Sequence, residues 1–149
     1  MKINFYHLTQ MPLGKALPRL LEKVIASDMR AVVKLEDEAA VEKLNIELWT
    51  YTTKVFLPHG SKVDGYCDQQ PIYLTASNEN PNGAKVFVYV GNAQPSDFKG
   101  FEKCLYMFDG NDDSQVQTAR SRWKEYRDSG FELAYWQQTE KGVWENKAT

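Results

Sequence analysis

Arg30-Ala31-Val32-Val33-Lys34-Leu35-Glu36-Asp37-Glu38 sets the architecture: an apolar, β-branched run of strand length passes directly into acids that suit a helix start. Val41, Leu44 and Leu48 give the next helix its apolar stripe, which ends near Trp49. The same alternation precedes it. Ile3-Asn4-Phe5-Tyr6-His7-Leu8 reads as a buried first strand, and Leu13, Leu17, Leu20, Leu21, Val24 and Ile25 then recur at helical spacing. That spacing predicts a helix over about residues 18–26 or from somewhat earlier, with Pro18 tolerated only in its first turn. From 50 to 70 the pattern fades into a loop or short irregular strand, punctuated by Pro58, Gly60 and Gly65. Further strands are predicted over 72–75, 85–90 and about 103–108. Asp112, Asp113 or Ser114 can cap a helix of about four turns that Gly130 stops. Residues 131–137 and a short segment around Trp144 complete the series. Strands alternating with helices predict βαβ units, and hence an α/β fold with a largely parallel central sheet and helices on both faces. Neither an internal repeat nor a linker divides the chain, so residues 1–149 read as one domain.

Composition narrows the function. With 149 residues, 42% hydrophobic and 26% charged, the chain suits one packed core rather than disorder. Eighteen basic against 20 acidic residues give −2, which excludes a protein whose whole surface embraces nucleic acid phosphates. No apolar run approaches the roughly 18 residues of a membrane span, and the first residues lack the apolar region of a signal peptide, so a cytoplasmic protein is expected. Cys67 and Cys104 suggest neither a disulfide framework nor a zinc ribbon.

Motifs for chemistry are mostly missing. Gly14-Lys15 has the Gly-Lys of a phosphate-binding loop, but Thr9 stands where the first Gly belongs and Ala16 replaces the magnesium-binding Ser/Thr. No functional P-loop is expected, although a nucleotide-dependent enzyme using Gly14-Lys15 is the enzyme-class alternative. His7 and His59 lack zinc-site spacing, and Asp109, Asp112 and Asp113 suit capping better than a metal cluster. No catalytic residue, cofactor or metal ligand is assigned.

Charge is unevenly spread. Arg120, Arg122, Lys124 and Arg127 face only Glu125 between 120 and 127, a local +3 that leaves −5 for the rest of the chain. At about 100° per residue, Arg120, Lys124 and Arg127 share a roughly 60° stripe while Arg122 points away. Val116, Ala119, Trp123 and Tyr126 form the neighbouring apolar face. Such a seam suits a ligand with both a carboxylate and a hydrophobic side chain, such as a peptide C-terminus. The same pattern also fits a solvated helix face with cations toward its C-terminal end, or a helix that binds DNA directly. Trp49 and Phe56 are a second candidate: exposed together they would anchor a protein partner, and buried they would be ordinary packing.

Six collinear stretches carry a family likeness: Phe5-Tyr6-His7-Leu8, Ala16-Leu17-Pro18-Arg19-Leu20-Leu21-Glu22-Lys23, Leu48-Trp49-Thr50-Tyr51, Phe56-Leu57-Pro58-His59-Gly60, Gln70-Pro71-Ile72 and Ala119-Arg120-Ser121-Arg122-Trp123-Lys124-Glu125-Tyr126-Arg127. Together they resemble the chi-subunit family of bacterial DNA polymerase III. The resemblance implies a noncatalytic accessory subunit with a Rossmann-like three-layer fold. It also implies pairing with the psi subunit of the clamp loader and binding of the acidic, hydrophobic-ended C-terminal tail of the single-stranded DNA-binding protein. Carried over residue by residue, Arg120, Trp123, Lys124, Arg127 and Val116 correspond to the tail-binding pocket, though a relative can place a lysine at the position of Val116. Trp49 and Phe56 correspond to the exposed pair that docks psi or, in some bacteria, a competing helicase. DNA would be engaged only indirectly. Residues 135–149, with Trp136 and Trp144, extend beyond the shortest members.

Overall fold

The computed structural model describes residues 2–49, 59–61, 70–95, 98, 100–140 and 144–147, with only the backbone of Trp49, His59 and Gly60. Cys67 and Phe56 lie outside the described residues. The chain runs β1 (Lys2–Leu8), α1 (Leu13–Ala26), β2 (Ala31–Lys34), α2 (Glu38–Trp49), β3 (His59–Gly60), β4 (Ile72–Thr75), β5 (Val86–Val90), β6 (Lys103–Asp109), α3 (Asp113–Asp128), β7 (Glu132–Gln138) and β8 (Trp144–Asn146).

The strands form one sheet in the order β3-β4-β2-β5-β6-β1-β7-β8. All neighbours pair in parallel except β7 and β8, which are antiparallel. Every residue of β2 and β4 is buried, as expected of strands covered on both faces. Side chains alternate between two cores. On one face Leu17, Leu21 and Val24 of α1 and Val41, Leu44 and Leu48 of α2 pack on Val33, Leu74, Val88 and Met107. On the other, Ala119 and Tyr126 of α3 pack on a largely aromatic layer of Phe5, Phe87, Tyr89, Tyr106 and Phe108. The three-layer α/β expectation therefore holds. No helix among the described residues is long and apolar enough to cross a membrane.

α1 corrects one expectation. It starts at Leu13, so Pro18 stands in its second turn rather than its first. The missing Pro18 N–H costs the bond to Gly14, but the ring is buried together with Ala16, Leu17, Leu20 and Leu21, and that packing outweighs it. α3 begins and ends as its sequence predicts. Asp112 caps it, accepting from Ser114 N at 2.9 Å and Gln115 N at 3.2 Å. Gly130 takes φ +87°, and Phe131 N donates to Tyr126 O at 3.0 Å, the bond that closes a left-handed helix terminus.

Arg122, which helical spacing only turns away from the basic stripe, is buried beneath α3. Its guanidinium donates to Gly91 O at 3.3 Å and Ala93 O at 2.5 Å, and lies 4.9 Å from the Tyr106 ring centroid and 5.5 Å from that of Tyr89. Lys34, also buried, donates to Gln94 O and Asn78 Oδ1. Two cations thus hold the turn after β5 through its carbonyls. Removing Arg122 would take the guanidinium donor from Ala93 O, leave Gly91 O with the Tyr106 hydroxyl alone and unpin α3, so Arg122→Ala is expected to lower the unfolding free energy by about 3 kcal/mol in denaturant titration. A loss within about 0.5 kcal/mol, the range of surface substitutions, would show that Arg122 does not anchor the helix.

Candidate functional site

The described residues frame two cavities that bear on function. The first, about 510 Å³, opens at the carboxyl ends of β1, β2, β5 and β6, where α/β folds commonly bind ligands. Its loop, Thr9 to Pro12, resembles a phosphate cradle in one respect: successive N–H groups converge on one point. That point is occupied by the protein itself. The Gln138 side-chain oxygen accepts from Thr9 N at 3.1 Å, Gln10 N at 3.2 Å and Met11 N at 3.1 Å, while Thr9 Oγ1 donates to Gln138 O. The Glu47 carboxylate packs where a Cβ on Gly14 would stand, beside the first turn of α1. An amide oxygen in the nest and a carboxylate at the helix start both oppose a phosphate there. Nor does any group of three or more His, Cys, Asp or Glu among the described residues form a metal-binding cluster.

The second cavity, about 480 Å³, lies beside α3. One wall is α3, with Val116, Ala119, Arg120, Trp123 and Arg127; the floor is His7 of β1 and Phe108 of β6; the far wall is Tyr135 of β7 and Lys147 just past β8. β1 lies between β6 and β7, with Phe5 in register with both Tyr106 and Tyr135. This pairing seats Trp123 edge-on against Phe5 at 5.1 Å and against Tyr135 at 5.6 Å, leaving the indole half-buried at the cavity.

Of the sequence-predicted residues, Val116, Arg120, Trp123 and Arg127 are brought together here, and Lys124 is not among the lining residues. The reason is angular. The cavity centres near Trp123, and Lys124 is the next residue, about 100° further around the helix. Arg120 is exposed and has no carboxylate partner among the described residues; Arg127 makes only a long surface contact with Asp128, at 3.8 Å. Trp49 ends α2, its side chain outside the described residues along with Phe56. Ile46, one turn earlier, is 57% exposed.

Sequence reasoning missed His7, Tyr135 and Lys147. His7 Nδ1 and Tyr135 Oη are 2.6 Å apart across 128 residues of chain, and Gly110 lets the imidazole approach its backbone, since a Cβ there would collide with Nε2. Burial, opposed by Asp109 and assisted by Arg120, lowers the His7 pKa below its usual value. Burial raises that of Tyr135, with Arg120 opposing. Elsewhere, burial pushes the Cys104 thiol up to about 12, which makes it unreactive.

Residues 1–134 match the family model described as "DNA polymerase III chi subunit, HolC". The chain is 42% identical over 89 residues to the "Probable DNA polymerase III subunit chi" of Rickettsia prowazekii (strain Madrid E), a match covering 60% of this chain and 54% of that protein, about half its length. It is also 26% identical over 107 residues to the "DNA polymerase III subunit chi" of Escherichia coli (strain K12), covering 72% of this chain and 73% of the other.

His7 supplies a pH test of the cavity floor. Its folded pKa lies below the unfolded value, so the unfolded chain binds more protons as pH falls, and stability declines through and below about pH 6.5. Denaturant titrations from about pH 7.5 to 5 are expected to show part of this decline missing in His7→Gln. Parallel curves for the two proteins would contradict the assignment.

Proposed function

The chain belongs to the DNA polymerase III chi-subunit family, and from that premise we propose that it is a noncatalytic replication accessory subunit. It bridges the clamp loader, through the psi subunit, to the acidic C-terminal tail of the single-stranded DNA-binding protein. The observation that carries this reading is the α3 cavity, where an exposed guanidinium without a carboxylate partner among the described residues stands beside a half-buried indole. A tail with a carboxylate next to a hydrophobic end complements that pair. Arg120 grips the carboxylate, Trp123 and Val116 receive the apolar side chain, Arg127 extends the basic rim, and Lys124 adds attraction from the neighbouring side of the helix.

Psi docks elsewhere, on the surface that carries Trp49 and Phe56, and a helicase competing for psi's place would use the same residues. The exposed Ile46, one turn before Trp49, adds apolar area to that surface. Because the tail pocket and this surface use different residues, both partners can be held at once. DNA is reached only through the protein that coats it, no cofactor is required, and the work is done in the cytoplasm.

Calorimetry with a synthetic tail peptide tests the assignment. Arg120→Ala is expected to weaken binding about tenfold, with a larger effect at low salt. Lys124→Ala is expected to weaken it only about twofold, as an exposed charge beside the cavity. Trp49→Ala and Phe56→Ala should spare peptide binding but abolish capture of psi. An unchanged affinity for Arg120→Ala would overturn the pocket.

A further inference from the structure

The family match ends at residue 134, yet one wall of the α3 cavity is built from residues beyond that point. β7 runs on through Tyr135 to Gln138, and β8 returns antiparallel with Trp144 opposite Gln138 and Asn146 opposite Trp136. This hairpin is firmly held. Trp136 stacks on Tyr6 at 6.5 Å and donates to Asn4 Oδ1 at 3.3 Å, Trp144 meets Tyr6 edge-on at 5.1 Å, and Gln138 is locked into the loop after β1. Lys147 N then donates to Tyr135 O at 2.7 Å, which fixes the backbone of Lys147 beside the cavity.

We propose that Lys147 is a further anion-binding residue of this cavity, and that Glu145 holds its ammonium until an acidic chain end displaces it. The proposal rests on the reading that the cavity receives an acidic chain end. Lys147 Nζ lies 3.1 Å from Glu145 Oε2, with the two side chains 51% and 54% exposed. A pair so exposed is worth little, so exchanging Glu145 for an incoming carboxylate costs little. No acid is among the cavity's described lining residues, whereas Arg120 and Arg127 stand on one wall and Lys147 on the other. Cations on facing walls, with Trp123 and Tyr135 between them, complement a peptide whose hydrophobic end is flanked by a second carboxylate. The hairpin thereby extends recognition from the end of the ligand to the acidic residues preceding it.

The experiment is calorimetry of the full chain with a synthetic acidic peptide ending in a hydrophobic residue, carried out on Lys147→Ala, Glu145→Gln and Arg120→Ala in parallel. Lys147→Ala is expected to weaken binding about three- to fivefold and flatten its salt dependence, while Glu145→Gln tightens it about twofold, with melting temperatures unchanged. Opposite signs distinguish competition for one ammonium from a structural role of the hairpin. Unaltered affinity for Lys147→Ala beside a weakened Arg120→Ala would overturn this proposal alone. If Arg120→Ala is also unaltered, the pocket reading fails and this proposal with it.

Discussion

The Arg122 guanidinium is carried into the interface between α3 and the sheet, where the carbonyls of Gly91 and Ala93 and the faces of Tyr89 and Tyr106 receive it. A buried charge tolerates little displacement, because its hydrogen bonds must compensate for lost water. Its position therefore fixes the rotation of α3. With Arg122, Ala119 and Tyr126 turned inward, helical geometry leaves Arg120, Trp123 and Arg127 along the side that faces Tyr135. A rotation by one residue, about 100°, would turn the indole away from Tyr135. Lys34, buried on the same turn, repeats the device from the sheet side.

Legibility in the sequence divides along physical lines. β2, β4 and β5 are largely apolar runs because parallel strands are buried on both faces, and such runs are visible without knowledge of their neighbours. Asp112 and Gly130 mark the ends of α3 because capping is a local transaction between a side chain or a φ angle and the adjacent backbone. Pro18 misleads for the opposite reason: its intrinsic penalty is local, while the burial that overrides it comes from the sheet. The basic stripe is legible as a spacing. Which flank of the stripe meets the cavity is not, since it depends on Arg122 and on β7 adding beside β1, and so Lys124 falls outside the lining. His7 and Tyr135 meet across 128 residues of chain, and Lys147 joins them by its backbone bond to Tyr135 O, so the site depends on pairings beyond the reach of any periodicity.

The same distant segment governs the other cavity. Gln138 ends β7, and its side chain satisfies the N–H groups of Thr9, Gln10 and Met11 that an anion would otherwise claim. In a nucleotide-binding protein of this architecture, those donors would be left for a phosphate. Here they tie β7 to the loop after β1, which holds Tyr135 beside His7 and Trp123. One substitution in chemical logic, a carbonyl oxygen for a phosphate oxygen, both fills the strand-end nest and braces a wall of the cavity on α3.

On the proposed reading, the α3 cavity is suited to weak, rapid binding. Its cations are solvent-exposed, so each contributes modestly and is screened by salt, and its apolar part is the half-buried Trp123 indole with Val116 and Tyr135 beside it. For an adaptor that meets many identical tails along a coated strand, such a site is sufficient. Each release leaves neighbouring tails at high effective concentration, so residence depends on their number rather than on any one contact. Tight burial of the ligand would defeat this, since a tail held for long could not be exchanged as the strand moves past. On the proposed reading, open charges on facing walls thus favour movement along the coat over capture of one copy.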